Sequence, residues 1–308
     1  WVPKSESSRS ITSLNVGTCL GTVVAFVLSP WMIERFGWES VFYFFGWCGM
    51  IWCVAWTFLG ADRGNRVPNH SVQFDMTLLL ELLRPSPLYA IYVCHFSWNL
   101  SVYITIMWLP TYLESQFRLN SDETWINALP YLVMAPAALG WAWYVDRHLV
   151  TSTDSILIRK VATGVGFLGG AIGLVAFAWA PSAHYAVFIL SLTFFIAPLS
   201  LSGWEAAKLT ALDASKAGML QGVSNTISNF AGVIGVPLAS YVKERSGHWN
   251  SVWYMCALVW AMATLVYAMF AKDSRQKKLK NAKVEPAGAE LMADRTTDNG
   301  GHNGPNNP

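Results

Sequence analysis

Long apolar runs separated by short polar connections are the main feature of this chain of 308 residues. A helix needs about 20 apolar residues to cross the roughly 30 Å hydrocarbon core of a bilayer. A membrane β-barrel instead shows alternating segments of about 10 residues, whereas these runs are continuous. The pattern therefore predicts an all-α polytopic membrane protein with eight spans, at residues 11–33, 41–59, 89–112, 125–145, 156–180, 185–202, 217–242 and 251–271.

The composition supports the same class of protein. Hydrophobic residues make up 53% of the chain and charged residues only 13%, whereas a soluble domain is about a quarter charged. The alternative, buried core helices of a large soluble protein, rarely supplies eight such runs with so few charges between them. The net charge of +2 indicates no nucleic-acid partner.

Basic residues are divided unevenly between the two sides that eight spans define. Only four of the 21 Lys and Arg residues, Arg35, Arg118, Lys243 and Arg245, fall on one of these sides. Because basic loops tend to stay in the cytoplasm, we expect both ends of the chain to be cytoplasmic. The chain begins at Trp1 without a signal-peptide pattern, and we interpret it as lacking an N-terminal part.

The polar connection 60–86 separates two spans from the remaining six and contains Pro68 and Pro85. This pattern predicts a linker between two helical bundles, with a short amphipathic helix at 75–83 on the cytoplasmic surface. From residue 272 the composition changes to a polar, Gly/Asn/Pro-rich sequence, which predicts a disordered cytoplasmic tail at 272–308. Small residues at helical spacing predict close helix packing in two stripes, Gly17-Gly21-Ala25 and Gly166-Gly170-Gly173.

The seventh span carries a stripe of polar side chains, namely Gln221, Ser224, Asn225, Ser228 and Asn229. The three- and four-residue spacings place them on one helix face, and polar groups in a span face protein or water because lipid cannot satisfy them. Two interpretations remain open. The stripe either forms hydrogen bonds between helices or lines a solvated pathway.

The third span carries a second stripe, with His95, Trp98, Asn99, Tyr103 and Ile106 again three or four residues apart. A lone histidine in a helix is usually a packing residue. Here it shares its face with an amide and a phenol, which favours a cavity wall. An imidazole with its usual pKa near ~6.5 can also change protonation in the physiological range.

The chain has no recognisable catalytic motif: Gly-x-Ser-x-Gly, His-Glu-x-x-His, a P-loop and Cys-x-x-Cys are all missing from the sequence. Its five cysteines lie within apolar runs without metal-ligand spacing. We therefore expect no enzyme activity, no catalytic residues, no metal and no cofactor. Glu205 and Asp213 are predicted to lie at a solvated helix end, which leaves no acidic residue deep within a span to couple a cation.

Short motifs in a fixed order resemble those of a known family. Residues 1–9 read W-V-P-K-S-E-S-S-R, similar to a W-x-P-x-x-E-R-S-R signature, and residues 37–46 resemble G-W-x-x-V-F-Y-x-x-G. The chain thereby resembles the anion:cation symporter branch of the major facilitator superfamily, which includes sialin, the vesicular glutamate transporters and plastid-type phosphate transporters. Further matches are W-L-P-T-Y at 108–112, L-P-Y at 129–131, Gly140, Asp146, Arg159, Lys160, S-G at 202–203 and G-V-S-N at 222–225.

This resemblance implies the major facilitator fold, with the chain corresponding to helices five to twelve of twelve. Residues 1–59 would be the last two helices of the N-terminal bundle, 60–86 the cytoplasmic linker, and 87–271 the six-helix C-terminal bundle. Asp146, Arg159 and Lys160 match a cytoplasmic loop motif whose charges latch helix ends, which implies a gating role.

The resemblance also bears on the substrate. Vesicular glutamate transporters have a substrate-binding arginine at the position of Trp98, and an indole cannot pair with an anion. This departure weighs against a dicarboxylate such as glutamate. Tyr103 matches a tyrosine that lines the family's cavity.

The sequence thus predicts a secondary active transporter of an organic anion or inorganic phosphate, working by alternating access between two bundles. Its expected partners are a small anionic solute, a coupling cation (H⁺ or Na⁺) and the lipid bilayer. A transport-inactive receptor or scaffold on the same fold is the alternative, and a membrane enzyme is a weaker third one. The expected cavity residues are His95, Trp98, Asn99, Tyr103, Gln221, Ser224, Asn225 and Asn229.

Overall fold

A computed structural model describes residues 7–60, 76–83, 88–119, 121–151, 155–211 and 214–272, and these residues are helical apart from short connections. The chain divides into two compact units, Trp1–Ala271 and Lys272–Pro308. The predicted tail lies outside the described residues except for Lys272, and so does most of the predicted linker. The helices are α1 Ser7–Phe36, α2 Glu39–Leu59, α3 Met76–Leu82, α4 Leu88–Phe117, α5 Leu129–Thr151, α6 Ser155–Ala178, α7 Ala183–Ile196, α8 Ala206–Ala211, α9 Ala214–Ser246 and α10 Asn250–Phe270.

Two less common helical segments complete the described chain. A 3₁₀ helix, Ser121–Ala128, leads into α5. A π-helical turn, Leu201–Glu205, lies between α7 and α8 and continues directly into α8. This wider turn keeps the chain helical beyond residue 202, where the hydrophobic pattern ended the sixth predicted span.

Seven helical stretches within the described residues are long and apolar enough to cross a membrane, judged by length and composition. The stretch Ala183–Leu209 combines α7, the π-turn and most of α8. The seventh predicted span, 217–242, is present as α9, a single helix of 33 residues. It is not among the seven because its polar stripe lowers its apolar content.

Aromatic residues dominate the core of the C-terminal helices. Trp98 of α4 stacks on Trp260 of α10, with ring centroids 6.0 Å apart and planes within 10°, and Phe167 of α6 packs against both. A second group joins Tyr112 and Trp253, whose rings meet edge to face at 5.3 Å. Such packing fixes α4, α6 and α10 as a rigid unit.

The two helices that precede the predicted linker differ in their contacts. α1 packs along α5, whereas α2 contacts α1 through a turn at Gly37, whose φ of 82° favours glycine. Within the described residues α2 buries none of its side chains.

The short helix α3 coincides with the predicted amphipathic helix at 75–83. Its Leu82 is buried against Tyr92 and Leu220, and the Tyr92 hydroxyl donates to the Leu82 carbonyl at 3.1 Å. These contacts attach α3 to the ends of α4 and α9.

The glycine stripe on α6 lies where neighbouring helices approach most closely. A Cβ at Gly166 would overlap the backbone nitrogen of Ser200, and one at Gly170 would overlap the Trp260 ring. At Gly17 and Gly21 of α1, by contrast, no described atom lies within 4 Å of a built Cβ. Only the second stripe therefore packs tightly within the described part of the chain.

A pair of alanine substitutions tests this packing. We expect Gly166→Ala to lower the free energy of unfolding by about 1–3 kcal/mol, the usual cost of overfilling a packed interior, because the Ser200 backbone cannot move away cheaply. The matched control is Gly140→Ala on α5, where a Cβ meets nothing within 4 Å. The control should be neutral or slightly stabilising, since alanine favours helix.

The measurement is the midpoint of thermal unfolding of the detergent-purified protein, followed by intrinsic tryptophan fluorescence. Equal midpoints for the two variants would contradict the packing assigned to α6.

Candidate functional site

The two polar stripes predicted from the sequence face each other along the interface between α4 and α9. Nδ1 of His95 lies 2.8 Å from the Ser224 hydroxyl, and Nδ2 of Asn99 donates to the Ser228 hydroxyl at 3.0 Å. One turn further, the Tyr103 hydroxyl donates to Oδ1 of Asn229 at 2.5 Å. These three contacts form a ladder of side-chain hydrogen bonds between two long helices.

The ladder lies beside a cavity of about 300 Å³, at the lower end of the range for small-molecule sites. Seven of the eight predicted cavity residues line it, and Ser224 does not, because it is fully buried behind His95. The lining comprises Asn15, His95, Trp98, Asn99, Tyr103, Leu201, Trp204, Glu205, Gln221, Asn225 and Asn229.

Both interpretations of the α9 stripe apply, and Asn229 combines them, because it lines the cavity and also accepts the hydrogen bond from Tyr103. Ser224 and Ser228 are fully buried and make interhelical hydrogen bonds. Gln221, Asn225 and Asn229 line the cavity with their amides. An amide offers both donors and an acceptor, so this wall can bind a polar solute of either hydrogen-bonding character.

Sequence reasoning missed a charged cluster at one end of the cavity. Nζ of Lys208 lies 2.6 Å from Oε2 of Glu205, and both side chains are buried. The expectation that Glu205 lies at a solvated helix end is wrong, because the π-turn carries it into the bundle. Its carboxylate also accepts a long hydrogen bond, 3.5 Å, from Nε2 of Gln221.

His95 connects this cluster to the ladder. Nζ of Lys208 lies 2.9 Å from Nδ1 of His95, and an ammonium group can only donate. Nδ1 must therefore accept, which makes the imidazole neutral with its proton on Nε2. Trp204 completes the cluster: Lys208 lies 5.0 Å from the centroid of its ring, and the His95 ring is 5.1 Å away.

The π-turn approaches α6 closely enough to exclude any side chain at Gly203. A Cβ there would overlap the Thr163 hydroxyl and the Arg159 carbonyl. Arg159 is buried, and its Nη1 donates to the carbonyls of Ser202 and Gly203 at 3.3 and 3.4 Å. These contacts hold the turn that positions Glu205, in line with the frequent use of π-helical turns at functional sites.

The three predicted gating residues lie at the ends of their helices. Asp146 of α5 is buried, accepts a hydrogen bond from the Arg9 backbone at 3.0 Å, and lies 3.6 Å from Nε of Arg9. Lys160 donates to the Ala268 carbonyl of α10 at 2.6 Å. Asp146 thus joins α5 to α1, a helix on the other side of the predicted linker.

Membrane-length helices that enclose a polar cavity define a polytopic membrane protein built around a solute-sized site. The Major Facilitator Superfamily matches residues 1–226, and the chain belongs to this superfamily. This finding confirms the predicted fold class.

Curated relatives include three proteins that each match about nine-tenths of this chain. The chloroplastic ascorbate transporter of Arabidopsis thaliana is 30% identical over 291 residues, which are 89% of this chain and 53% of the relative. The chloroplastic sodium-dependent phosphate transport protein 1 of the same plant is 28% identical, and human sialin 27%, with 56% and 60% of their lengths covered. The chain spans about half the length of the curated relatives it matches.

These relatives confirm the predicted resemblance to the anion:cation symporter branch. The names of the two plant relatives describe transporters, which agrees with the expectation of a transporter family and not of an enzyme.

Cysteine labelling tests whether the amide wall, the side of the cavity formed by Gln221, Asn225 and Asn229, faces water. We expect Asn225→Cys and Asn229→Cys to react with a membrane-impermeant, charged thiol reagent, because both positions line the cavity. Ile172→Cys on α6 is the control: its side chain is 72% exposed on an apolar face, which lipid should cover.

The five native cysteines are replaced by serine in all variants. Protection of Asn225→Cys and Asn229→Cys to the level of Ile172→Cys would show that the amide wall is not solvated.

Proposed function

We propose that the protein is a secondary active transporter of small anions, either an organic anion or inorganic phosphate. The observation that carries this proposal is the cavity between α4 and α9, where amides and a buried cation meet inside an apolar helix bundle. Polar side chains at such depth are costly and generally mark a solute pathway. The names of the relatives, with ascorbate and phosphate among their solutes, support the same substrate class.

The chemistry of the cavity favours an anion over a cation. Its hydrogen-bond donors are the amides of Asn99, Gln221 and Asn225, with the Lys208 ammonium beside His95 and Glu205 at one end. The sole carboxylate among the lining residues, Glu205, is paired with Lys208. Trp98 is stacked on Trp260 and offers an apolar wall, so the cavity suits one small charged group on a larger neutral body.

Transport by alternating access requires contacts that form in one state and break in another. The Arg9–Asp146 contact is suited to this role because it joins the end of α1 to the end of α5, across the predicted boundary between bundles. Nearby, Arg159 donates a hydrogen bond to the π-turn, and Lys160 donates one to the last turn of α10. We assign these residues to a gate on the cytoplasmic side, with both ends of the chain in the cytoplasm.

Uptake by the full-length protein in proteoliposomes tests the function. We expect accumulation of at least one of three labelled probes, inorganic phosphate, ascorbate or gluconate, driven by an inward gradient of H⁺ or Na⁺. Tyr103→Phe should raise the KM of that probe about three- to tenfold, because losing one hydrogen bond in a binding site costs about 1 kcal/mol.

Tyr185→Phe on α7 is the matched control, since this half-exposed tyrosine lies outside the cavity lining. Binding of a probe without any uptake would favour a receptor. Uptake with an unchanged KM in both Tyr103→Phe and Asn225→Ala would refute the site assignment.

The gate gives a separate prediction. Asp146→Asn removes the charge that holds Arg9, so it should populate the state that is open at this end of the bundle. We expect Asn225→Cys to react at least twofold faster from this side when Asp146→Asn is present. Glu244→Gln, an exposed carboxylate at the end of α9, should leave the labelling rate unchanged.

If Asp146→Asn lowered the labelling rate of Asn225→Cys or left it unchanged, the Arg9–Asp146 contact would not be a gate.

A further inference from the structure

We propose that Lys208 is the anchoring cation for the transported oxyanion, and that Glu205 takes up one proton when the oxyanion displaces its carboxylate. The pair thereby couples one anion to one proton within the C-terminal helices. This inference rests on the proposed transport function and names its binding group and its coupling cation.

The Glu205–Lys208 pair lies at one end of the cavity. Glu205 lines the cavity, and Lys208 is its direct partner at 2.6 Å, only 1% exposed and one helical turn further along. A solute that enters the cavity meets the carboxylate first. It reaches the ammonium only by replacing the carboxylate oxygen.

A second donor, the indole of Trp204, lies beside the ammonium, with Nζ of Lys208 5.0 Å from the centroid of its ring. Trp204 lines the cavity and is 1% exposed, and its Nε1 proton has no hydrogen-bond partner among the described residues. His95 is neutral and keeps its proton on Nε2. An ammonium and an indole N–H together suit an oxyanion, either a carboxylate or a phosphate.

A buried ion pair that loses one partner leaves an uncompensated charge, which is strongly unfavourable. When an oxyanion pairs with Lys208, the displaced carboxylate is therefore driven to neutralise itself. It accepts a proton from the aqueous cavity on one carboxylate oxygen. The anion and the proton then enter together, and the net charge of the site does not change.

The groups around Glu205 leave Lys208 as its direct charge partner. α4 contributes neutral His95, and α9 contributes the uncharged Gln221. Arg159 of α6 donates to backbone carbonyls of the π-turn. α1 brings Asn15 to the cavity, and Asp146 of α5 contacts Arg9.

The test is the pH dependence of gluconate binding to the full-length protein in detergent, measured by calorimetry. A carboxylate probe is fully ionised well above its pKa of ~4, so any dependence above pH 6 belongs to the protein. On the alkaline side of the pH profile, we expect the affinity of the wild type for gluconate to fall about tenfold for each pH unit. This slope is the one that uptake of one proton requires. Titrations in buffers of different ionisation enthalpy should give about one proton taken up per gluconate.

Glu205→Gln should remove both effects. Because the carboxylate no longer competes for Lys208, this variant should bind gluconate at least tenfold more tightly than the wild type at pH 7, where the ammonium keeps its proton more readily than at alkaline pH. The same titration is made with inorganic phosphate at pH 7. Whichever of the two probes binds more tightly identifies the oxyanion that the site prefers.

Lys208→Gln should weaken binding at least tenfold at every pH. Since it leaves Glu205 unpaired and could unfold the protein, the double variant Glu205→Gln/Lys208→Gln is measured as well. It removes both charges together and should bind as weakly as the single lysine variant. Lys216→Gln and Glu244→Gln, two exposed charges outside the cavity, are the matched controls.

The failures of the two proposals can be distinguished. A wild type that binds neither gluconate nor phosphate and transports no anion overturns the proposed function, and this inference with it. Anion uptake by a wild type whose binding is independent of pH, or a Glu205→Gln variant that still takes up one proton, overturns the inference alone. Full affinity in the folded double variant would also overturn it.

Discussion

The arrangement of this protein follows from the cost of placing polar groups inside helices long and apolar enough to span a membrane. Such groups must find partners or water, because lipid offers neither. The serines on α9 find partners on α4, and these contacts align the two helices along their length. The amides on the same face of α9 line the cavity, and Asn229 also accepts a hydrogen bond from Tyr103 of α4. One helix face thus fixes both the packing and the polar wall.

The π-turn forms a second wall of the cavity, and its buried polar groups also need partners. Its wider geometry carries Glu205 toward the cavity, and Gly203 lets the turn approach α6 so closely that Arg159 can bind its carbonyls. The buried charge of Arg159 is satisfied by those contacts, and the buried charge of Glu205 by Lys208. Each charged group in this region is therefore both stabilised and oriented by its neighbour.

Helix periodicity was sufficient to predict the spans and the two polar faces, because the spacing of residues along a helix fixes which of them share a face. It could not predict that Ser224 lies behind His95 while Asn225 lines the cavity, since both belong to one stripe and only packing against α4 separates them. The sixth span was predicted too short because Glu205 and Lys208 resembled the charged end of a helix. Opposite charges three residues apart in an apolar stretch were the available signal: they neutralise each other, so the helix can continue. Asn15 was not predicted, although Thr12, Asn15, Thr18 and Thr22 stand three or four residues apart and mark a polar face of α1.

The charge distribution explains how a site without a cation on α4 can still suit an anion. At the position of Trp98, a related subgroup places an arginine, whereas here the indole stacks on Trp260 and belongs to the core. A charge at this position would have to break that stack. Lys208 approaches the same cavity from α8, and it reaches His95 on α4 without disturbing the aromatic core. An arginine that projects freely into a cavity needs no internal partner, but a lysine buried in the wall needs one. Glu205 follows from this requirement, and any anion that binds Lys208 must compete with it.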